Sequence, residues 1–93
     1  MLFFSHLVTY VLPDTYKIVE IERDAVFAGK MGKEVRETWK VEKDGRTYTV
    51  TISPYHTHFA HVPSAFKEGE SVRISGFMRE DRIKTSISEV KRS

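Results

Sequence analysis

Asp44-Gly45 stands between two alternating runs, "VRETWKVEK" (Val35–Lys43) and "RTYTVTIS" (Arg46–Ser53). A two-residue hairpin loop whose twist matches its strands needs positive φ at both central positions. Asp-Gly accepts that conformation readily, so the dipeptide predicts a β-hairpin. The turn also fixes a register, in which Lys43 faces Arg46, Val41 faces Tyr48, Trp39 faces Val50 and Glu37 faces Ile52. Val35, Trp39, Val41, Tyr48, Val50 and Ile52 then share the core side. Arg36, Thr38, Lys40, Glu42, Thr47, Thr49 and Thr51 share the side that meets solvent or a ligand.

Strand periodicity runs through most of the chain. "YKIVEIER" (Tyr16–Arg23) is β-rich with partial alternation. "AVFAGKMGKE" (Ala25–Glu34) has two glycines three apart, a bulged strand end or a loop. Residues 63–69, "PSAFKEG", read as one short helical turn with a glycine stop. "ESVRISGFMRE" (Glu70–Glu80) points Val72 and Ile74 inward, and Gly76 sits where a bend or bulge is needed. A tight turn at Glu80-Asp81 leads into "RIKTSISEVK" (Arg82–Lys91), read as one strand with Ile83 and Ile87 inward. The expected order is three strands, a short helix and two strands in a single domain of 93 residues.

That order, with "VPSAFKEGESVRISGFMREDRIKTSISEV" as its most specific part, resembles the OB-fold, a five-stranded Greek-key barrel. The likeness is to domains of the replication protein A and tRNA-binding type and covers about Tyr16 to Lys91, the expected barrel of residues 16–91. The stretch "VPSAFKEGESVRISG" also looks like the periplasmic haem chaperone of cytochrome c maturation. That family uses an anchor and a haem-attaching histidine after its barrel, so only the shared fold is carried over and no cofactor is expected. Residues 1–13, "MLFFSHLVTYVLP", fall outside the minimal fold. They read as an apolar arm that adds a strand or covers an edge, since unpaired strand edges invite association.

Composition narrows the function classes. There is no cysteine, which removes disulfides and thiolate metal sites. No apolar run is long enough to span a bilayer as a helix, and a cytoplasmic setting is the default expectation. Asn and Gln are absent while Lys, Arg and Glu abound, a pattern expected of a thermophile. The same absence removes the amide side chains that read adenine edges. Fifteen cations against thirteen anions leave a net charge of +2, so the placement of the cations matters more than their number.

Three of the four histidines lie in "SPYHTHFAHVP" (Ser53–Pro63). On an extended segment His56 and His58 point to one side and His61 to the other. Two imidazoles are half of a closed zinc site, and no cysteine is present to complete it, so no metal is expected. Nor is an enzyme: no base is recognisably paired with a nucleophile, and Gly29-x-x-Gly32 before Lys33 lacks the length and trailing hydroxyl of a phosphate-binding loop.

The OB-fold resemblance implies an oligonucleotide track on the second and third strands, flanked by the first and last loops. The cations it singles out are Arg36, Lys40, Arg73, Arg79 and Lys84 on strands, Lys33 in the first loop and Arg82 in the last. Single-strand binders also stack bases on exposed aromatics. Phe77, Tyr55 and Phe27 are the outward candidates, and Trp39 joins them if its strand is bulged. The expected function is non-catalytic binding of single-stranded DNA or RNA. The alternative is a protein-interaction subunit of a larger assembly, docked on a partner or a second copy through residues 2–12, whose exposed apolar surface would mark a contact.

Overall fold

The computed structural model describes residues 8–27, 29, 32–57 and 66–93. Six strands are present: β1 (Thr9–Phe27), β2 (Lys33–Lys43), β3 (Arg46–Thr57), β4 (Ser71–Arg79), β5 (Arg82–Thr85) and β6 (Val90–Arg92). β1 pairs with β2, β2 with β3, β3 with β5, β5 with β4, and β4 returns to β1. Five strands therefore close a ring. The β3–β5 link is parallel and the other links of the ring are antiparallel.

The Asp44-Gly45 hairpin forms with the expected register, and both residues have positive φ, 51° and 78°. The core follows from it. Trp39, Val41, Val50 and Ile52 are buried with Tyr16, Ile18, Val72, Ile74 and Ile83 inside the ring. Phe66 closes one end, edge-on to Trp39 with ring centroids 5.4 Å apart. Two backbone hydrogen bonds hold the approach to β4 onto β1: Gly69 N–H to Ile18 O at 2.7 Å and Ile18 N–H to Glu70 O at 2.9 Å. Gly76 is required by close approach. A Cβ there would stand 2.3 Å from the Lys84 carbonyl oxygen, far inside van der Waals contact.

Three bulges depart from simple alternation. β1 carries one extra residue at Val19 opposite Val41-Lys40 and another near Pro13 opposite β4. β3 carries one at Ser53-Pro54 opposite β2. Proline lacks the N–H a ladder needs, so two prolines at bulges are where a sheet tolerates them. Each extra residue reverses which face the following side chains take.

The run read as one strand from Arg82 to Lys91 is divided. β5 stops at Thr85, a 3₁₀ turn occupies Ile87–Glu89, and β6 resumes against the first half of β4. The apolar arm does not lie apart from the ring: Thr9–Pro13 are the first residues of β1, and Thr9, Tyr10 and Val11 pair with the far end of β4. Residues 1–7 lie outside the described residues. Of the helical turn expected at 63–69, residues 63–65 also lie outside them, and Glu68-Gly69 form a turn. Among the described residues no helix is long and apolar enough to cross a membrane.

Candidate functional site

Cross-strand pairing decides which outward residues are neighbours. One row reads Thr51 on β3, Lys84 on β5, Phe77 on β4 and Tyr10 on β1. The next reads Thr49, Arg82 and Arg79. Directly paired side chains in a sheet lie about 5 Å apart on the same side, so these rows form one surface. Phe77 is 57% exposed and Tyr10 51%. Their rings meet edge to face, with centroids 5.3 Å apart. Further along β4, Arg73 pairs with Lys91 on β6 and donates to the Pro13 carbonyl at 3.5 Å.

A groove of about 310 Å³ runs along this surface, lined by Tyr10, Phe77, Lys84, Ser53, Ser86 and Glu89 among others. Glu89 stands on the 3₁₀ turn, and Ser75 Oγ donates to its Oε2 at 3.5 Å. Ser86 and Ser88 hydroxyls meet at 3.0 Å beside it. Neither Lys84 nor Arg82 forms an ion pair among the described residues.

The structure brings Phe77, Arg79, Arg82 and Lys84 together on β4 and β5. Arg36 and Lys40 are on β2, separated from β4 by β1 on one side and by β3 and β5 on the other. Lys40 pairs with Thr49 on β3 and so extends the row Thr49–Arg82–Arg79 onto β2, whereas Arg36 lies further along β2, opposite Asp24. Arg36 is held by Glu34 at 3.4 Å and Lys40 by Glu20 at 3.6 Å. Lys33 begins β2, at the end of the hairpin away from Asp44-Gly45.

Trp39 is not available for stacking. Its register places it opposite Val50 and Ile21, inside the ring, with no exposed surface. Tyr55 also turns inward, because the Ser53-Pro54 bulge shifts the alternation of β3 before it. Its hydroxyl donates to the Glu37 carboxylate. Burial raises the Tyr55 pKa above that of an ordinary phenol, and the bond to Glu37 raises it further. Glu37 itself is 3% exposed; it accepts from Trp39 Nε1 at 2.9 Å and forms an ion pair with Arg23 Nη2 at 3.1 Å. Arg23 also donates to the Phe66 carbonyl at 3.3 Å. This cluster carries a buried charge with every partner supplied, the condition under which a charge survives burial. The register that set Glu37 opposite Ile52 was the signal that could have found it.

His56 is exposed and lies opposite Glu34, whereas His58 and His61 lie outside the described residues. No group of three or more His, Asp or Glu with metal-binding geometry occurs among the described residues. Comparison of the chain with protein-family models, with curated proteins and with solved structures gives no match.

Proposed function

We propose that this chain is an OB-like barrel that binds single-stranded nucleic acid without catalysis. The surface used is the outer face of β3, β5 and β4, not the β2–β3 face that the resemblance implies. The barrel reading is supported by the ring order β1-β2-β3-β5-β4 with its parallel β3–β5 link. The binding reading is carried by one observation, the row Thr51–Lys84–Phe77–Tyr10 with Arg82 and Arg79 beside it. Such a surface supplies what a single strand needs: an aromatic face for a base and cations spaced for phosphates. Each phosphate contact releases counterions, so binding weakens as salt rises.

The test compares two double variants in oligonucleotide titrations over a range of salt. Arg82→Ala with Lys84→Ala should lower affinity and make the slope of log affinity against log salt shallower by about 1.4, at about 0.7 per contact. Arg36→Ala with Lys40→Ala should leave that slope unchanged. A wild-type protein that retains no oligonucleotide at low salt would refute the reading.

The protein-interaction reading has its own observation. Val8 and Leu12 are exposed beside Tyr10, Leu12 to 73%. A second copy covering that patch would make the mass in solution depend on concentration, and Leu12→Glu would hold the chain as a monomer.

A further inference from the structure

The groove beside Phe77 has one acidic wall, and that wall has a meaning for base choice. We infer that the groove takes a guanine of a single strand, stacked on Phe77, with its Watson–Crick edge against the Glu89 carboxylate. The inference rests on the strand-binding reading above and deepens it.

The geometry comes from β4. Ser75 and Phe77 are two residues apart and point to the same side, which spaces them by about 6.6 Å. Ser75 Oγ donates to Glu89 Oε2 at 3.5 Å, which ties the carboxylate to the side of β4 that carries Phe77. Both residues line the same groove. A carboxylate only accepts hydrogen bonds. Guanine offers N1–H and the N2 amino group side by side, a matched pair of donors for its two oxygens. Adenine offers one amino group beside an acceptor nitrogen. Thymine and uracil flank their single donor with two carbonyl oxygens, which a carboxylate repels. Cytosine offers one amino donor on an edge otherwise made of acceptors.

The rest of the site agrees with a guanylate. Lys84 is paired directly with Phe77 and stands where a flanking phosphate would lie. The chain contains no Asn or Gln, so the amide pairing that favours adenine is not among its resources. Ser53 and Ser86 hydroxyls line the groove and can meet the remaining polar atoms of the base.

The experiment uses the full chain and four twelve-base thymidine oligonucleotides, one unmodified and three with a single central guanine, hypoxanthine or adenine. A lone guanine avoids four-stranded structures. Guanine should bind about 10-fold tighter than adenine or thymine, the scale of one good bidentate base contact. Hypoxanthine, which lacks the N2 amino group, should fall between. Glu89→Gln, whose amide keeps the shape but only one acceptor oxygen, should erase most of the preference while the melting temperature holds. Equal affinity for all four oligonucleotides, with binding intact, would overturn the guanine inference and leave strand binding standing. Failure to retain any of the four at low salt would overturn both.

Discussion

Lys40 on β2 and Lys84 on β5 are outward lysines separated in the ring by β3 alone, yet their surroundings differ. Lys40 faces an acidic strand: β1 sets Glu20, Glu22 and Asp24 opposite Lys40, Thr38 and Arg36. The result is a mosaic of matched charge, with Glu20 and Glu34 neutralising the two cations locally. Lys84 faces hydroxyls on one side and an aromatic on the other, through Thr51 and Phe77. Its charge stays available. The two walls use similar residue types, and the cross-strand neighbour decides whether a cation serves the sheet or a ligand. Beneath the first wall lies a second difference, for there Glu37 ties Arg23, Trp39 and Tyr55 into the core.

Substitutions on the two sides should therefore be felt in different measurements. Glu37→Ala should have the largest effect. It leaves the Trp39 and Tyr55 donors without their acceptor and Arg23 without its ion pair, at a cost of about 3–5 kcal/mol. For a domain of this size that lowers Tm by about 10 °C or more in a thermal melt. Oligonucleotide affinity measured well below the melt should not change. A small shift in Tm would show that the cluster is replaceable, and the contrast between the walls would lose its structural half.

Phe77→Ala should do the reverse. Loss of a stacking partner costs on the order of 1–3 kcal/mol of binding. Tm should barely move, because the ring is largely exposed in the free protein. A Phe77→Ala protein that melts early with unchanged affinity would assign Phe77 to stability and collapse the distinction.

Next in size is an effect of alkali. The Tyr55 phenol stays protonated when folded, held there first by burial and then by its bond to Glu37. Burial likewise raises Tyr16. A free tyrosine ionises near pH 10, so above that pH the unfolded chain loses protons that the folded chain retains. Stability present below about pH 10 is then lost as pH rises further, by up to about 1.4 kcal/mol per pH unit for each tyrosine. Tyr55→Phe removes one of these contributions. Its Tm should fall less steeply than wild type between pH 10 and 11, and parallel curves would argue against a protonated Tyr55 in the fold.

The smallest effect is at the turn that joins β4 to β5 under the cationic rows. Glu80 holds a left-handed φ of 56°, a region costly for a residue with a Cβ. Glu80→Gly relieves that strain and adds back some unfolded-state freedom, for a net gain of up to about 1 kcal/mol. A thermal melt should show a rise of a few degrees without any change in base preference.

Much of this architecture was legible before any coordinates. Asp44-Gly45 specified its hairpin because few residue pairs tolerate two positive φ values, and alternation then assigned Trp39, Val41, Val50 and Ile52 to the core. Gly76 was legible only as a bend or bulge, whereas the fold needs it for the close approach of the Lys84 carbonyl. Tyr55 was not, because the bulge at Ser53-Pro54 reverses alternation, and proline marks such a point without saying which face follows. The same holds for Val19: its bulge turns Arg23 inward towards Glu37, and nothing local announces it. The gathering of Phe77, Arg79, Arg82 and Lys84 was half legible, as one hairpin. Their neighbours Thr49, Thr51 and Tyr10 arrive through the β3–β5 and β1–β4 pairings, which join segments far apart in the chain. Periodicity does not report such contacts.

β1 also bears on how the chain reaches this structure. Its middle and end pair with β2, the next strand to be made, and that contact can form early. Its beginning waits for β4: Thr9 finds Met78, near the other end of the chain. Distant contacts carry the entropy of closing a long loop before they return any stability. The ring should therefore close late and slowly, as β topologies with distant pairings do. During synthesis at the ribosome, Tyr10, Val11 and Leu12 emerge before β4 and stay unpaired until it has been made. Over that interval they form an apolar strand edge open to other chains, where misassembly would begin.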